Sequence, residues 1–154
     1  MSDQRISRRT FLTATASSLA FTYIPRRAWG ANERFYVAGI GVGGKGAGEV
    51  NDVTRAGGVF VALCDVDEAR AAKTFAGFPD AKRYQDFRVM LEKEKGIDAV
   101  TVSTPDHTHA IASLTAMALG KHVYCQKPLT HSIYEARIME QAARYYKVQT
   151  QMGN

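Results

Sequence analysis

From Arg34 onward, short apolar runs alternate with longer amphipathic ones, the pattern of a parallel sheet covered by helices. "FYVAGI" (Phe35 to Ile40) predicts a first strand, ended by the glycine cluster "GVGGKG". A helix is expected to about Ala56, with Val50 and Val53 on its buried side and Gly57 and Gly58 as its stop. "VFVALC" (Val59 to Cys64) predicts the second strand, and Asp67 caps a helix that carries Ala69, Ala72 and Phe75. A short third strand is expected around Tyr84, and "FRVMLEKE" is helical, closed by Gly96. "DAVTVS" predicts a fourth strand that Pro105 must break, because proline cannot donate to a central ladder. Asp106 can cap the next helix, whose apolar face is expected at Ile111, Leu114 and Ala118, with Gly120 at its end. "HVYC" is a fifth strand, Ser132 and Glu135 form a capping-box pattern for a helix to about Tyr146, and "VQTQ" begins a sixth strand. Six strands with helices between them predict an α/β fold, a doubly wound parallel sheet of the Rossmann dinucleotide-binding type, in the order 3-2-1-4-5-6.

Charge and composition modify this picture mainly at the amino terminus. The formal net charge is +5, but residues 1 to 30 hold five arginines (Arg5, Arg8, Arg9, Arg26, Arg27) against the single acid Asp3. The remainder is close to neutral, so no nucleic-acid partner is expected. The same thirty residues have a targeting signal's plan: a basic start, the uncharged "TFLTATASSLAFTYI", then "RAWG" with small residues at Ala28 and Gly30. The apolar part is too short and too rich in Thr, Ser and Ala to span a bilayer stably. "SRRTFL" resembles the twin-arginine export signal, which implies delivery of a folded chain, starting near Ala31, through that export machinery to the periplasm or beyond. Cys64 and Cys125 fall on the second and fifth strands, roughly 14 Å apart in the expected order. A disulfide needs alpha carbons within about 7 Å, so two free thiols are predicted.

The glycine cluster follows a strand, opens a helix and is answered by an acid at the end of the next strand, which together make a dinucleotide site. Of two registers, Gly39/Gly41/Gly44 and Gly41/Gly43/Gly46, the second is preferred because Gly39 still lies inside the apolar strand. Gly41 then permits the tight turn, Gly43 the approach of a pyrophosphate and Gly46 the close packing of helix on strand, while Gly44 lies between them. Asp65 is placed to accept hydrogen bonds from an adenosine ribose and to repel a 2′-phosphate, favouring NAD over NADP. Thr104 and Pro105 of "STPDHTH" should form the ledge over which the cofactor passes. His107 and His109, two apart on a helix, diverge, so no metal site is expected; a capping or cofactor-proximal place suits His109.

Taken together, "IGVGGKG", "ALCDVD", "YQDFRVML", "VSTPDHTH", "GKHVYCQKPL" and "QMGN" resemble the amino-terminal half of the Gfo/Idh/MocA oxidoreductases over residues 34 to 154. The resemblance implies a dinucleotide-binding domain, residues 31–154 here, joined to a second α/β domain that supplies most substrate contacts and any homo-oligomer interface. It also implies oxidation or reduction of a sugar or polyol with NAD or NADP. In the motif usually written Glu-Lys-Pro the lysine reaches the nicotinamide and the reacting hydroxyl, which makes Lys127 the catalytic candidate and places Gln126 and Pro128 beside it. Glutamine in place of glutamate removes a negative charge from position 126 and is expected to ease proton exchange by Lys127 relative to a Gln126→Glu variant. The family's other catalytic residues come from the second domain. A chain ending at Asn154 is thus either a fragment of a longer enzyme, which its end at a sixth strand favours, or a truncated module that binds cofactor without turnover. Exported relatives that cleave glycosides with bound NAD offer another reading, against which the presence of Lys127 argues.

Overall fold

The computed structural model describes residues 34–154; the leader expected over residues 1–30 lies outside the described residues. Six strands and five helices alternate: β1 (Phe35–Ile40), α1 (Lys45–Arg55), β2 (Gly58–Cys64), α2 (Glu68–Gly77), β3 (Lys82–Tyr84), α3 (Phe87–Lys93), β4 (Ala99–Val102), α4 (Asp106–Ala118), β5 (His122–Cys125), α5 (Ile133–Tyr146) and β6 (Thr150–Met152). All pairings are parallel and the order is β3-β2-β1-β4-β5-β6, as the alternation predicts. The order reverses between β1 and β4, where the connections leave to opposite sides and open a crevice at the carboxyl ends of the strands.

Both faces of the central strands are covered, so β1, β2 and β4 are apolar on both sides, while the edge strands β3 and β6 are largely exposed. Val37, Phe60 and Leu63 turn to a cluster with Val50 of α1 and Ala71 and Phe75 of α2. Their neighbours Ala38, Ile40, Ala62 and Cys64 turn the other way, joining Met90 of α3, Ala112, Ala116 and Met117 of α4, and Met139 of α5. The alternation has the strand period of two in β1, while in β2 a register shift opposite Val37/Ala38 sets Phe60 and Leu63, three apart, on the same face. Helix ends follow their local chemistry: the Asp67 carboxylate accepts from the Arg70 N–H, and Ser132 with Glu135 forms the full capping box. Cys64 and Cys125 are free, buried thiols.

Three local expectations change. The buried face of α4 is Ala110, Ala112, Ser113, Ala116 and Met117, whereas Ile111 is 52% exposed. At about 100° per residue Ile111 lies roughly opposite the arc formed by these residues and His109, so it faces outward whatever its size. In α2 the inward face is Ala71, Thr74 and Phe75, one step round from Ala69 and Ala72. Asp106 stands inside the first turn of α4, not before it; Pro105 holds the cap position, and the Asp106 carboxylate accepts from the His107 N–H at 2.9 Å.

Candidate functional site

The chain leaves β1 at Gly41, whose φ of +78° only glycine adopts without strain. A Cβ there would also lie 2.8 Å from the Ser103 backbone. The turn is anchored by Gly41 N–H donating to the Cys64 carbonyl at 2.8 Å and by the Thr74 hydroxyl donating to the Val42 carbonyl at 2.8 Å. Gly46, in the first turn of α1, is held so near that an added Cβ would stand 1.9 Å from the Gly41 oxygen. Gly39 lies inside β1, in accord with the register that starts at Gly41. Gly43 and Gly44 complete the turn beneath the Arg70 side chain, which sequence reasoning did not single out.

Asp65, just past β2, takes the Gly43 N–H at 2.8 Å on one oxygen and the Asp67 N–H at 3.0 Å on the other. The carboxylate thereby fixes the loop, and each oxygen keeps a lone pair for a further donor. Gly41, Gly43, Asp65, Thr104 and Pro105 line one cleft of about 650 Å³, with Lys45, Arg70 and Ser103 among the other walls. Opposite the glycine turn, Thr104 and Pro105 form a ledge, braced by the Thr108 hydroxyl at 2.7 Å from the Pro105 carbonyl.

His109, Gln126 and Lys127 do not line this cleft. His109 is buried beneath the ledge, with Nδ1 2.7 Å from the Pro128 carbonyl and Nε2 2.7 Å from the Thr104 carbonyl. The ring therefore ties the ledge to the turn after β5. Across the same gap, the His131 ring stands 3.7 Å from Asp106, whose carboxyl is held below its ordinary range chiefly by the His107 backbone N–H. Lys127 is exposed at the carboxyl end of β5, and the Lys127–Pro128 peptide bond is cis.

Gln126 is buried, and its amide is engaged on both sides. Its Nε2 donates to Glu49 Oε1 at 2.5 Å, and its Oε1 accepts the Lys127 N–H at 2.5 Å. Glutamine at 126 therefore does not leave the neighbourhood free of negative charge; Glu49 of α1 brings a carboxylate there. Ser103 donates to the other Glu49 oxygen. That carboxylate, after burial, also helps to raise the Tyr124 phenol. Neither Glu49 nor Ser103 was singled out from the sequence. An acid three residues past Gly46 reads as a solvated helix position until the ends of β4 and β5 are known to meet there.

A glycine turn that a Cβ would block, a helix that starts from it, and a carboxylate at the end of the second strand define a Rossmann dinucleotide-binding domain. Residues 34–154 match the GFO_IDH_MocA family, described as an oxidoreductase family with an NAD-binding Rossmann fold. The chain belongs to that family. It is 37% identical over 92 residues to inositol 2-dehydrogenase 1 of Saccharopolyspora erythraea, covering 58% of this chain and 27% of that protein. It is 32% identical over 133 residues to a glycosyl hydrolase family 109 protein of Stenotrophomonas maltophilia, covering 79% and 29%. An NAD binding oxidoreductase from Klebsiella pneumoniae superposes with a TM-score of 0.70 at 32% identity, over 79% of this chain and 34% of that one. The chain thus spans roughly a third or less of the length of these relatives.

Proposed function

We propose that the protein is an exported, NAD-dependent oxidoreductase that transfers hydride between the cofactor and a hydroxyl-bearing carbon of a sugar or polyol. The observation that carries this reading is the place of Lys127: exposed at the end of β5, on a turn tied through His109 to the ledge of the nucleotide cleft. The named activity of the inositol 2-dehydrogenase relative supports the substrate class.

The site fits the cofactor without rearranging its backbone. The glycines of the Gly41–Gly46 turn leave room for phosphates at the start of α1, and Asp65 offers acceptors to the ribose while its charge disfavours a 2′-phosphate. Bound NAD supplies the two-electron acceptor. Lys127 donates a hydrogen bond to the substrate hydroxyl oxygen and stabilises the negative charge that grows on it as its proton leaves. The base that takes this proton, most substrate contacts and any homo-oligomer interface belong to a second α/β domain joined to residues 31–154.

Residues 1–30, with Arg8 and Arg9, act as the twin-arginine leader. No helix among the described residues is long and apolar enough to cross a membrane. Because no NAD pool exists outside the cytoplasm, the cofactor is held tightly before export and recycled in place by a second substrate. The test is NADH formation by the protein at its natural length across a panel of polyols and sugars. Turnover with at least one of them and slow release of NAD on dialysis are expected. Rapid loss of NAD would overturn the tight-binding claim.

The family 109 relative favours a second reading, NAD-assisted glycoside cleavage, since that match covers more of the chain. Release of nitrophenol from nitrophenyl sugars with no net NADH would establish it. Cofactor binding with neither activity would mark a module without turnover.

A further inference from the structure

We infer that Glu49 is a positioning residue for Lys127, acting through Gln126, and that it is the reason position 126 holds an amide. This rests on the role given to Lys127 above. Glu49 is 4% exposed, and none of the ion pairs among the described residues includes it. A buried carboxylate without a cation must be satisfied by hydrogen bonds. Here the donors come from two other parts of the site: Ser103 at the end of β4 and Gln126 after β5. One side chain of α1 therefore fastens the phosphate-binding helix to the cofactor ledge and to the lysine turn.

Hydrogen-bond polarity fixes the direction of the chain of contacts. Glu49 accepts only, so Gln126 must turn its Nε2 towards it, which leaves Oε1 to accept the Lys127 N–H. A Cβ on Gly153 would lie 2.9 Å from Gln126 Oε1 and 2.7 Å from the Tyr124 hydroxyl, so this side is closed by packing. A carboxylate at 126 would face the Glu49 carboxylate, and one of the two would have to take up a proton.

Exchanging the two groups, however, restores every contact. In a Glu49→Gln/Gln126→Glu protein, the amide at 49 donates to the carboxylate at 126 and accepts from Ser103, while the carboxylate still accepts the Lys127 N–H. The single Glu49→Gln change also keeps the connectivity, since its oxygen can accept from Gln126 and its nitrogen can donate to the Ser103 oxygen. Only Gln126→Glu alone creates a clash of like groups.

The experiment is a double-mutant cycle of these two changes in the protein at its natural length. Two readouts are taken: hydrogen exchange of the segment around Lys127, and kcat with KM for the best polyol. Gln126→Glu should lower Lys127 N–H protection and kcat each about tenfold, with KM for NAD within about threefold. Adding Glu49→Gln should bring both back to within about threefold of the parent. Should Gln126→Glu fail to fold, recovery of a folded double variant reports the same coupling. Additive losses, or a double variant no better than Gln126→Glu, would overturn the inference. If even the parent oxidises no polyol, the dehydrogenase reading fails separately, and the protection data still decide the link from Glu49 to Lys127.

Discussion

At the end of the cleft nearest Asp65, the surface that meets a ligand is backbone: the Gly41–Gly46 turn with its N–H groups, fixed by contacts to neighbouring strand ends. At the end nearest Lys127, position depends on side chains from distant parts of the chain. Glu49 reaches Ser103 and Gln126, and His109 reaches Thr104 and Pro128. The first end is governed by space and backbone conformation, the second by polarity. They should therefore fail differently under substitution.

The largest effect is expected at Gly46. A Gly46→Ala change sets a methyl against the Gly41 oxygen, a backbone atom that cannot swing away. Overpacking of this kind costs about 3 kcal/mol or more, so NAD affinity should fall about 100-fold or the domain should melt early. Calorimetric titration and thermal unfolding measure both, and retention of wild-type affinity would break the distinction between the two ends. Next comes Asp65→Asn, which leaves one oxygen for two backbone donors and removes the charge facing a 2′-phosphate. About a tenfold loss for NAD and a relative gain for NADP are expected in the same titration.

Smaller effects belong to groups away from the cleft. Glu94 accepts from Lys82 and from the Tyr84 hydroxyl at 2.6 Å, which holds its carboxyl below the ordinary range and pushes the Tyr84 phenol up to about 12. A depressed carboxyl stabilises the fold above its unfolded pKa and loses that contribution as pH falls through the folded value. The raised phenol stabilises below its unfolded pKa and loses its contribution as pH rises towards 12. Tyr84→Phe should flatten the stability profile at both extremes, by less than about 1 kcal/mol because solvent screens the pair. Urea unfolding at several pH values would show it. The smallest effect is an absence of reaction. Burial pushes the Cys64 thiol up to about 12 and Cys125 to about 11, so neither should label at pH 8 until the protein unfolds.

The contrast between the two ends also explains what could be read in advance. Strand order, the register beginning at Gly41, and the place of Asp65 follow from local signals: a run of apolar residues, glycines that stop it, and an acid at the end of the next run. Periodicity failed at Ile111 because α4 buries the arc of His109, Ala110, Ala112, Ser113, Ala116 and Met117, in which small and polar residues hide the inward face from a search for large apolar ones. At Gln126 the sequence alone shows a lost negative charge, whereas its neighbour Glu49, 77 residues away in the chain, supplies one. Only the meeting of α1 with the ends of β4 and β5 brings that carboxylate into view. His109 shows the same limit: its pattern suggested the cofactor's vicinity, while its contacts make it a strut between two turns.

The role of Lys127 is tested most directly by comparing Lys127→Met with the parent protein at natural length, measuring NAD affinity and NADH formation side by side. The account predicts NAD affinity within about threefold of the parent and a loss of kcat of about 100-fold or more, because the group that steadies the developing alkoxide is gone while the phosphate cradle is intact. Unchanged turnover in the variant would contradict it.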